Sequence, residues 1–340
     1  IFMSELSTTP RSHVYTIEHQ YLDLLSEIQT DGYLKQTRNG KVYSLFGKQI
    51  THDFRQGFPL LTTKKMSLKN IFAELRWFLD GDTDIRNLWK QNCHIWDNDW
   101  YNGYKKSCSS PYSLSEMQTA TLKQDNSFHH TTWSLGPIYG HQWRNWGGVD
   151  QVAKIINTLK TNPDDRRMLV SAWNVGELDE MALVPCHHSW QVWTAEIPID
   201  ERFILWNEKQ NLEYEEYIDL YDIDEEQHES FLSGIPKRKI SLLFNARSQD
   251  VPLGTPYNIV SYAMLLLMLA DEVNMIPDRL IGNLGDCHIY ENQMNGVEEQ
   301  LKRFPRKFPT LKVKNGINAQ FEDFELIGYD PHPKIHFPLS

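Results

Sequence analysis

The spacing of apolar residues along the chain predicts several amphipathic helices. Residues 14 to 28 repeat apolar side chains at helical intervals, and the same period recurs from about Ser67 to Leu79, with Gly81 just beyond. A third helix is predicted after Asp150, which is a favourable N-cap residue. Residues 257–275 form a fourth helix that is apolar on nearly every side. We expect this fourth helix to lie at the centre of the core.

Short apolar runs bounded by turn residues predict strands between these helices. The predicted strands are residues 42–47, 168–173, 190–193, 239–244 and 288–290. The sequence has no internal repeat and no low-complexity linker. The pattern therefore favours one α+β domain over residues 14–340.

Two stretches interrupt this pattern. Residues 101–133 are rich in polar and aromatic side chains with little periodicity, and we expect an inserted surface excursion there. A second excursion is predicted at residues 198–237. Within it, residues 213–229 hold nine acidic residues and no lysine or arginine, which is typical of a solvated face.

Composition narrows the possible functions. The chain has 340 residues, 40% of them hydrophobic, which is enough for a sizeable core. The formal net charge of -11 disfavours nucleic acid as a partner. No apolar run approaches the roughly 20 residues of a membrane helix, and no export signal is recognisable, so we expect a cytoplasmic protein.

Four scattered cysteines lack the CxxC spacing of a zinc site and are expected to be free thiols; they are Cys93, Cys108, Cys186 and Cys287. Cys186 stands out because it follows Pro185, precedes His187 and lies at the entrance of a predicted strand. A lone intracellular cysteine is more often a small buried hydrophobe than a nucleophile. Three further segments favour the nucleophile, since together they suit a phosphorylated pyrimidine: Arg166-Arg167, the run from Arg247 to Asn258, and Gly285 to Tyr290.

Glu74 lies within an otherwise apolar helix. A glutamate in that setting is more often on the surface. If it faces inward, burial would raise its pKa and let it transfer protons near neutral pH.

Motifs along most of the chain resemble those of the folate-dependent thymidylate synthase family, which includes pyrimidine nucleotide hydroxymethylases. The shared motifs are TTKK, FAELRWFLDGDT, IWD, LGPIYGHQWR, RRMLVSAWNVGELDEMAL, PCH, RSQDVPLGTPYN and GDCHIY. The resemblance implies a thymidylate synthase-like α+β fold, with a large mixed sheet, flanking helices and sheet packing in a homodimer. It runs from about Thr16 to the end of the sequence, apart from the two excursions.

By motif position, the resemblance implies that Cys186 adds to C6 of a uracil ring, which activates C5 as a nucleophile. Neighbouring guanidinium groups that hold phosphate would help to expose the thiolate. Arg38, Arg247 and Ser248 would bind that phosphate, and Arg166 and Arg167 would reach the site of a partner subunit.

Asn258 is implied to select the base. Its amide can accept from N3–H and donate to O4 of uracil, whereas family members that use cytidylate carry aspartate there. The expected substrate is therefore dUMP. His288 and Tyr290 would hold the ribose 3'-hydroxyl, while Glu74 would organise water and move protons.

The implied cofactor is 5,10-methylenetetrahydrofolate. Trp96, Asp250, Gly254 and Lys64 match positions that bind it, and Gly254 would permit a close backbone approach. Asp250 also belongs to the implied substrate site. Tyr139 and His187 match residues that order the surroundings of the thiol.

Three interpretations of the function remain open. A thymidylate synthase would give dTMP and dihydrofolate, whereas a dUMP hydroxymethylase would admit water and release tetrahydrofolate. The sequence departs from the common synthase pattern at Lys65, Ser67, Asn70 and in the ending Leu339-Ser340, but it retains Trp96. The family base rate favours the synthase. The third interpretation, a catalytically silent nucleotide-binding homologue, is disfavoured because the functional residues are present.

Overall fold

A mixed six-stranded sheet forms the centre of the protein in a computed structural model that describes residues 15–108, 112–123, 132–210 and 232–338. The strand order is β1-β2-β6-β5-β4-β3, and every pair is antiparallel except β5 with β6. The strands are β1 (Tyr33–Thr37), β2 (Gly40–Asp53), β3 (Leu169–Ser171), β4 (His187–Glu196), β5 (Arg238–Asp250) and β6 (Ile276–Tyr290). A separate hairpin pairs β7 (Thr310–Lys312) with β8 (Glu325–Ile327).

Helices flank this sheet. They are α1 (Ile17–Asp31), α2 (Leu68–Leu79), α3 (Ile85–Trp89), α4 (Asp97–Ser107), α5 (Leu114–Leu122), α6 (Tyr139–Asn145), α7 (Gln151–Thr161), α8 (Ile199–Gln210), α9 (Gly254–Glu272) and α10 (Met294–Leu301). Helix α9 connects the parallel strands β5 and β6, because a parallel pair requires a crossover. It is buried along nearly its whole length, as its apolar sequence predicts. The expected α+β fold with a large mixed sheet is confirmed.

Local capping fixes the helices that carry the site. Ser67 caps α2 by accepting a hydrogen bond from the backbone of Asn70, and Asp150 caps α7 through Ala153. Gly81 follows α2 with φ +70°, a conformation that glycine adopts without strain. The predicted helix at residues 67–79 and the predicted Asp150 cap are thus confirmed.

Several boundaries differ from the prediction. The apolar runs at residues 42–47 and 239–244 are only parts of β2 and β5, which continue beyond them through largely polar residues that alternate between the two sheet faces. Helix α9 begins at Gly254, earlier than predicted, and β3 is only three residues long.

The two predicted excursions contain helices that the sequence pattern did not reveal. Residues 101–133 include most of α4 and all of α5. An aromatic stack holds α4, in which Trp100 lies parallel to Tyr104 and Trp133. Helix α8 occupies the start of the 198–237 excursion. Among the described side chains, these helices bury only a few residues rather than a long apolar stripe: Trp100 and Tyr104 on α4, Met117 and Ala120 on α5, and Arg202 and Asn207 on α8. The acidic run at residues 213–229 lies outside the described residues.

The outer face of the sheet carries a hydrogen-bonded row of polar side chains. Gln49 on β2 donates to Asn283 on β6 at 2.9 Å, and Asn283 donates to Asn245 on β5 at 2.9 Å. Asn245 then donates to the hydroxyl of Ser189 on β4 at 3.2 Å. On the same face Trp193 remains 58% exposed.

Candidate active site

Cys186 lies immediately before β4, where that strand meets β5. Its backbone N–H donates to the Tyr139 hydroxyl at 2.7 Å, and its carbonyl accepts from the backbone N–H of Arg247 at 2.8 Å. The thiol is partly buried. Two elements, α6 and β5, therefore fix the position of this residue.

The Arg247 guanidinium is held beside the thiol. It donates to the carbonyls of Pro185 and Val184, at 2.9 Å each, and lies 5.5 Å from the centre of the Trp173 ring. Burial raises the pKa of Cys186 above its usual value, while the charge of Arg247 opposes that rise. The sequence predicts that guanidinium groups favour the thiolate, and their effect has that sign, but burial outweighs it here.

Arg38, in the turn between β1 and β2, is exposed at the same end of the site. Its positive charge lowers the pKa of Cys186 and that of Asp99, although burial raises both overall. Asp99 in turn raises the pKa of the thiol. The sequence did not single out Asp99, since nothing in the IWDNDW stretch distinguishes it from its neighbours.

His187 and Tyr139 form a stacked pair behind Cys186, with ring centres 4.4 Å apart. The Nδ1 atom of His187 is 2.8 Å from the Tyr262 hydroxyl on α9. Burial lowers the pKa of His187 to about 3, so the imidazole is neutral in the physiological range. The pair orders the floor of the site without adding charge.

Glu74 faces inward from α2, the less common of the two orientations considered for it. The indole N–H of Trp96 donates to its carboxylate at 2.7 Å. Burial raises the pKa of Glu74 to about 7, an increase that the hydrogen bond from Trp96 partly opposes. Glu74 can therefore both hold and release a proton near neutral pH.

Asn258 stands in the first turns of α9, facing β5. Its side-chain N–H donates to Oε1 of Gln249 at 3.2 Å, and the Thr255 hydroxyl donates to the same oxygen at 3.0 Å. This bond orients the Asn258 amide, whose own oxygen accepts no hydrogen bond from a described residue. The buried Nε2 of Gln249 also lacks a partner among the described residues. Gln249 was not among the site residues predicted from the sequence, although it lies inside the RSQD motif.

Asp250 and Lys64 lie close enough for their opposite charges to interact. The Asp250 carboxylate accepts from the backbone of Leu253 at 3.0 Å and from Gln293 Nε2 at 2.9 Å, and burial raises its pKa. Lys64 donates to the Pro252 carbonyl, and burial lowers its pKa to about 7. Gln293 is fully buried, and it was also not among the site residues predicted from the sequence.

His288 lies on β6 beside β5. Its Nδ1 is 3.0 Å from Asp286 Oδ1, and its backbone carbonyl accepts from Val251 at 2.9 Å. Ser248 on β5 is paired in register with Asp286 on β6, which places Ser248 next to the residue that contacts His288. Tyr290 lies two residues beyond His288, with the two rings edge to face and their centres 5.3 Å apart.

Arg166 and Arg167 precede β3 and are exposed. Their guanidinium groups make no hydrogen bond or ion pair with the described residues. Arg167 lines a groove of about 560 Å³ between α7 and β3. The fold of one chain therefore does not bring this arginine pair to the thiol, unlike Arg247.

Gly254 is the first residue of α9. A Cβ atom built there would lie 3.8 Å from Gln249 Oε1 and 3.9 Å from Asp250 Cβ, which are ordinary contacts. Nothing within the described chain thus requires glycine at this position. Its expected close approach to a cofactor stays a prediction.

Among the described residues, no cluster of His, Cys, Asp and Glu side chains could hold a metal ion. The described helices include none that is both long and apolar enough to span a membrane.

Comparison with known proteins identifies the family. The thymidylate synthase family model matches residues 19–340. Curated thymidylate synthases from Mesoplasma florum and Mycoplasma mobile are 40% and 39% identical, each over 93% of this chain and 97% of its own length. The thymidylate synthase of Mycoplasma genitalium is 37% identical over 93% of this chain and 98% of its own. The chain belongs to the thymidylate synthase family.

Proposed function

We propose that the protein is a thymidylate synthase that converts dUMP to dTMP, with 5,10-methylenetetrahydrofolate as the one-carbon donor and dihydrofolate as the second product. The observation that carries the proposal is the arrangement around Cys186. Arg247 contacts the segment that bears the thiol, Tyr139 binds its backbone, and Glu74 lies inward with a pKa near neutrality. A one-carbon transfer to C5 of uracil needs this combination of nucleophile, cation and proton carrier.

Cys186 is the proposed nucleophile. Its thiolate adds to C6 of the uracil ring, and the electron pair of the C5–C6 double bond moves toward C5 and O4. C5 then behaves as an enolate carbon and forms the new C–C bond. The C5 proton leaves as the one-carbon unit separates from its donor, and, once that unit is reduced to a methyl group, expulsion of the thiolate from C6 restores the C5–C6 double bond. Because the free thiol has a raised pKa, the phosphate-binding arginines must favour its ionised form during this cycle.

Asn258 is proposed to read the base. Its amide is oriented by Gln249, so the free carbonyl oxygen can accept from N3–H of uracil while the remaining amide hydrogen can donate to O4. Cytosine presents an acceptor at N3 and a donor at C4, which reverses both requirements. The arrangement supports uracil as the substrate base.

Glu74 is proposed to move protons at O4 and at C5 through water. A carboxyl group with a pKa of about 7 is populated in both forms at neutral pH, which suits a group that must give and take a proton in each cycle. His187 and Tyr139 order the site behind the thiol. His288 and Tyr290 are proposed to hold the ribose 3'-hydroxyl.

The residues present fit the proposed folate. Trp96, which is buried with its indole N–H on Glu74, would close one wall of the folate site, and Asp250 offers a carboxylate that suits the N–H donors of a pterin ring. Lys64 and Gly254 complete the proposed folate-binding set. When bound, 5,10-methylenetetrahydrofolate supplies the one-carbon unit and the electrons that reduce it to a methyl group. The chain itself supplies orientation and the exclusion of water.

Arg38, Arg247 and Ser248 are proposed to bind the substrate phosphate, with Arg166 and Arg167 contributed by a second subunit. Two features support a homodimer. The guanidinium groups of Arg166 and Arg167 have no partner among the described residues of their own chain. The outer face of the sheet carries both the exposed Trp193 and the row of amides, and so offers an apolar and hydrogen-bonding surface.

We further propose a single catalytic domain over residues 14–340, with the excursions at about 101–133 and 198–237 as insertions. The proposed location is the cytoplasm, with neither nucleic acid nor membrane as a partner. The net charge of -11 supports the first exclusion, because nucleic acid recruits basic surfaces.

Neither alternative is favoured by a specific observation. A hydroxymethylase must admit water, but Trp96 is buried and fixed by Glu74. A silent homologue would not need Glu74 and Cys186 both placed close enough to Tyr139 to interact with it.

Incubation with dUMP and 5,10-methylenetetrahydrofolate tests the proposal. We expect dihydrofolate to appear in the absorbance trace and dTMP to be identified by mass, with Cys186→Ser inactive but still binding dUMP. A product heavier than dTMP by one oxygen, without dihydrofolate, would assign the hydroxymethylase reaction instead. No product from the wild-type protein would support the silent homologue.

A further inference from the structure

Helix α5, inside the 101–133 excursion, contacts the wall of the candidate site. Met117 is fully buried, and Ala120 on the same side is nearly so, which seats the helix against the rest of the protein. Ser113 caps the helix and shares a capping box with Glu116. The helix is therefore a defined element with one face packed inward.

The contact is made by Gln118. Its side-chain N–H donates to Asp97 Oδ2 at 2.6 Å. The other carboxylate oxygen of Asp97 accepts from the indole of Trp89 at 2.7 Å, and His94 Nδ1 is 3.0 Å from Oδ2. Asp97 is thus tied to α3 by Trp89 and to α5 by Gln118.

Asp97 is the first residue of α4, and Trp96 immediately precedes it. Trp96 is the residue whose indole donates to Glu74 at 2.7 Å. It is buried among Trp77, Phe78 and Tyr139. A displacement of Asp97 would move the neighbouring backbone, and a hydrogen bond of this length tolerates little movement.

We propose that Gln118 is a positioning residue: through Asp97 it fixes the backbone of Trp96, and so it maintains the hydrogen bond from Trp96 to Glu74. The inference rests on the proposed function, because it gives the 101–133 excursion a part in placing the proton-transferring carboxylate. Gln118 itself touches neither Trp96 nor Glu74. Its effect is transmitted through one intervening side chain.

The structure offers a matched pair of variants. Gln118→Met keeps the length of the side chain and good helix propensity but removes the donor, and Gln118→Ala provides a second variant that also favours the helix. Thr119→Ala is the control, because Thr119 is the exposed neighbour on the same helix. Trp96→Phe defines the signal expected when the indole donor is lost.

The first readout needs no turnover. Ultraviolet resonance Raman spectroscopy reports the strength of indole N–H hydrogen bonds, and subtraction of the Trp96→Phe spectrum isolates Trp96. We expect a weaker hydrogen bond at Trp96 in both Gln118 variants and no change in Thr119→Ala. An unchanged Trp96 band in the Gln118 variants would overturn the proposal, whether or not the wild-type protein makes dTMP.

The second readout is the pH profile of kcat/KM. Loss of the Trp96 bond raises the pKa of Glu74 further, so the limb that reports this carboxyl should move to higher pH. The titratable groups that interact with Glu74 are Cys93, Tyr139, Tyr257 and Tyr262, all with pKa values raised above their usual range. They should therefore not obscure the limb.

We also expect kcat/KM for the folate to fall on the order of tenfold in the Gln118 variants, consistent with a weakened hydrogen bond to a charged group. A lower melting temperature with an unshifted limb would contradict the proposal, since it would indicate a purely structural role for Gln118. Failure of the wild-type protein to form dTMP would instead contradict the proposed function, and the Raman comparison would still decide the role of Gln118.

Discussion

The backbone N–H of Arg247 donates to the carbonyl of Cys186 at 2.8 Å, and the Arg247 side chain donates to the two carbonyls that precede Cys186 in the chain. One arginine thus fixes the thiol-bearing segment from both its backbone and its side chain. The same guanidinium is the largest of the charges that favour the thiolate. Position and ionisation of the thiol are therefore coupled through a single residue.

Replacing Arg247 with methionine should raise the pKa of the Cys186 thiol above its already raised value. The positive charge that favours the thiolate would be lost, while burial of the thiol would remain. Alkylation of Cys186 at neutral pH should slow by about tenfold for each unit by which the pKa rises. The rate can be followed by mass spectrometry against pH, with Cys186→Ser to identify the modified site. Equal rates in the variant and the wild type would show that Arg247 does not control the thiol.

Glu74→Gln should stabilise the protein at pH 8 but not at pH 4. The folded-state pKa is about 7, raised from an ordinary value of 4.5, so the folded state binds more protons than the unfolded state between these values. The stability associated with Glu74 is complete below pH 4.5 and is lost as pH rises through about 7. The gain at pH 8 should be about 2 kcal/mol, after allowance for the exposed part of the side chain. Urea unfolding at the two pH values measures it.

The control is Glu116→Gln, because Glu116 is an exposed carboxylate on α5. Hydrogen bonds from Ser113 to the Glu116 carboxylate lower the pKa of Glu116. Removal of its charge should therefore not stabilise the protein at pH 8. A gain of equal size at pH 4 and pH 8 for Glu74→Gln would contradict the prediction, since it would be unrelated to ionisation.

Sequence reasoning located the residues that short motifs and strong periodicity define. The apolar residues of α9 predicted a central helix, and the motifs around Cys186 and Arg247 predicted two segments that the fold brings into contact. The resemblance placed Glu74 in the site, but only the structure shows that Trp96 donates to it. That bond joins α2 to the residue that immediately precedes α4, and its geometry depends on how α2 and α4 pack.

The missed residues share a physical reason. Gln118, Gln249 and Gln293 act through hydrogen bonds to side chains that lie 21, 9 and 43 positions away in the sequence. A glutamine has no periodic or charge signature, so a single sequence gives it no distinguishing signal. Helices α5 and α8 were missed for a related reason, because each buries a few side chains rather than a long apolar stripe.

Asn258→Asp should reverse the preference of the enzyme from dUMP toward dCMP. An aspartate at this position would present an acceptor to O4 of uracil in place of a donor. With cytosine, a carboxylate oxygen can accept from the C4 amine, and a protonated carboxyl can donate to N3. We expect kcat/KM for dUMP to fall at least about 100-fold, because an unmatched buried polar pair is costly. Competition between dUMP and dCMP measures the ratio. Asn157→Asp is the matched control, since it makes the same amide-to-carboxylate change at an exposed position of α7 and should leave the preference for dUMP unchanged. Retained preference for dUMP in Asn258→Asp would remove Asn258 as the selector.

The Phe337 ring packs into the space left by the missing side chain of Gly296. This contact predicts that Gly296→Ala changes the free energy of unfolding in opposite directions with and without the ring. A Cβ atom at Gly296 would lie 2.6 Å from Cε1 of Phe337, too close for both to remain in place. Phe337 is only 4% exposed and lies beneath Lys64, whose Nζ is 4.7 Å from the ring centre. Gly296→Ala should therefore expel the ring, and loss of its burial should cost about 2 kcal/mol.

In the Phe337→Ala background the same Gly296→Ala change should become stabilising. Gly296 lies within α10, and alanine is favoured over glycine in a helix by about 1 kcal/mol. The two backgrounds thus predict opposite signs: a net loss of about 1 kcal/mol with Phe337 present and a gain of about 1 kcal/mol without it. Urea unfolding of the four proteins measures the cycle, and limited proteolysis near Pro338 reports whether the chain end has been released. The same sign in both backgrounds would mean that the position of the Phe337 ring does not require glycine at position 296. The Gln293 side chain, which donates to both Pro338 and Asp250, would then hold this segment without help from Phe337.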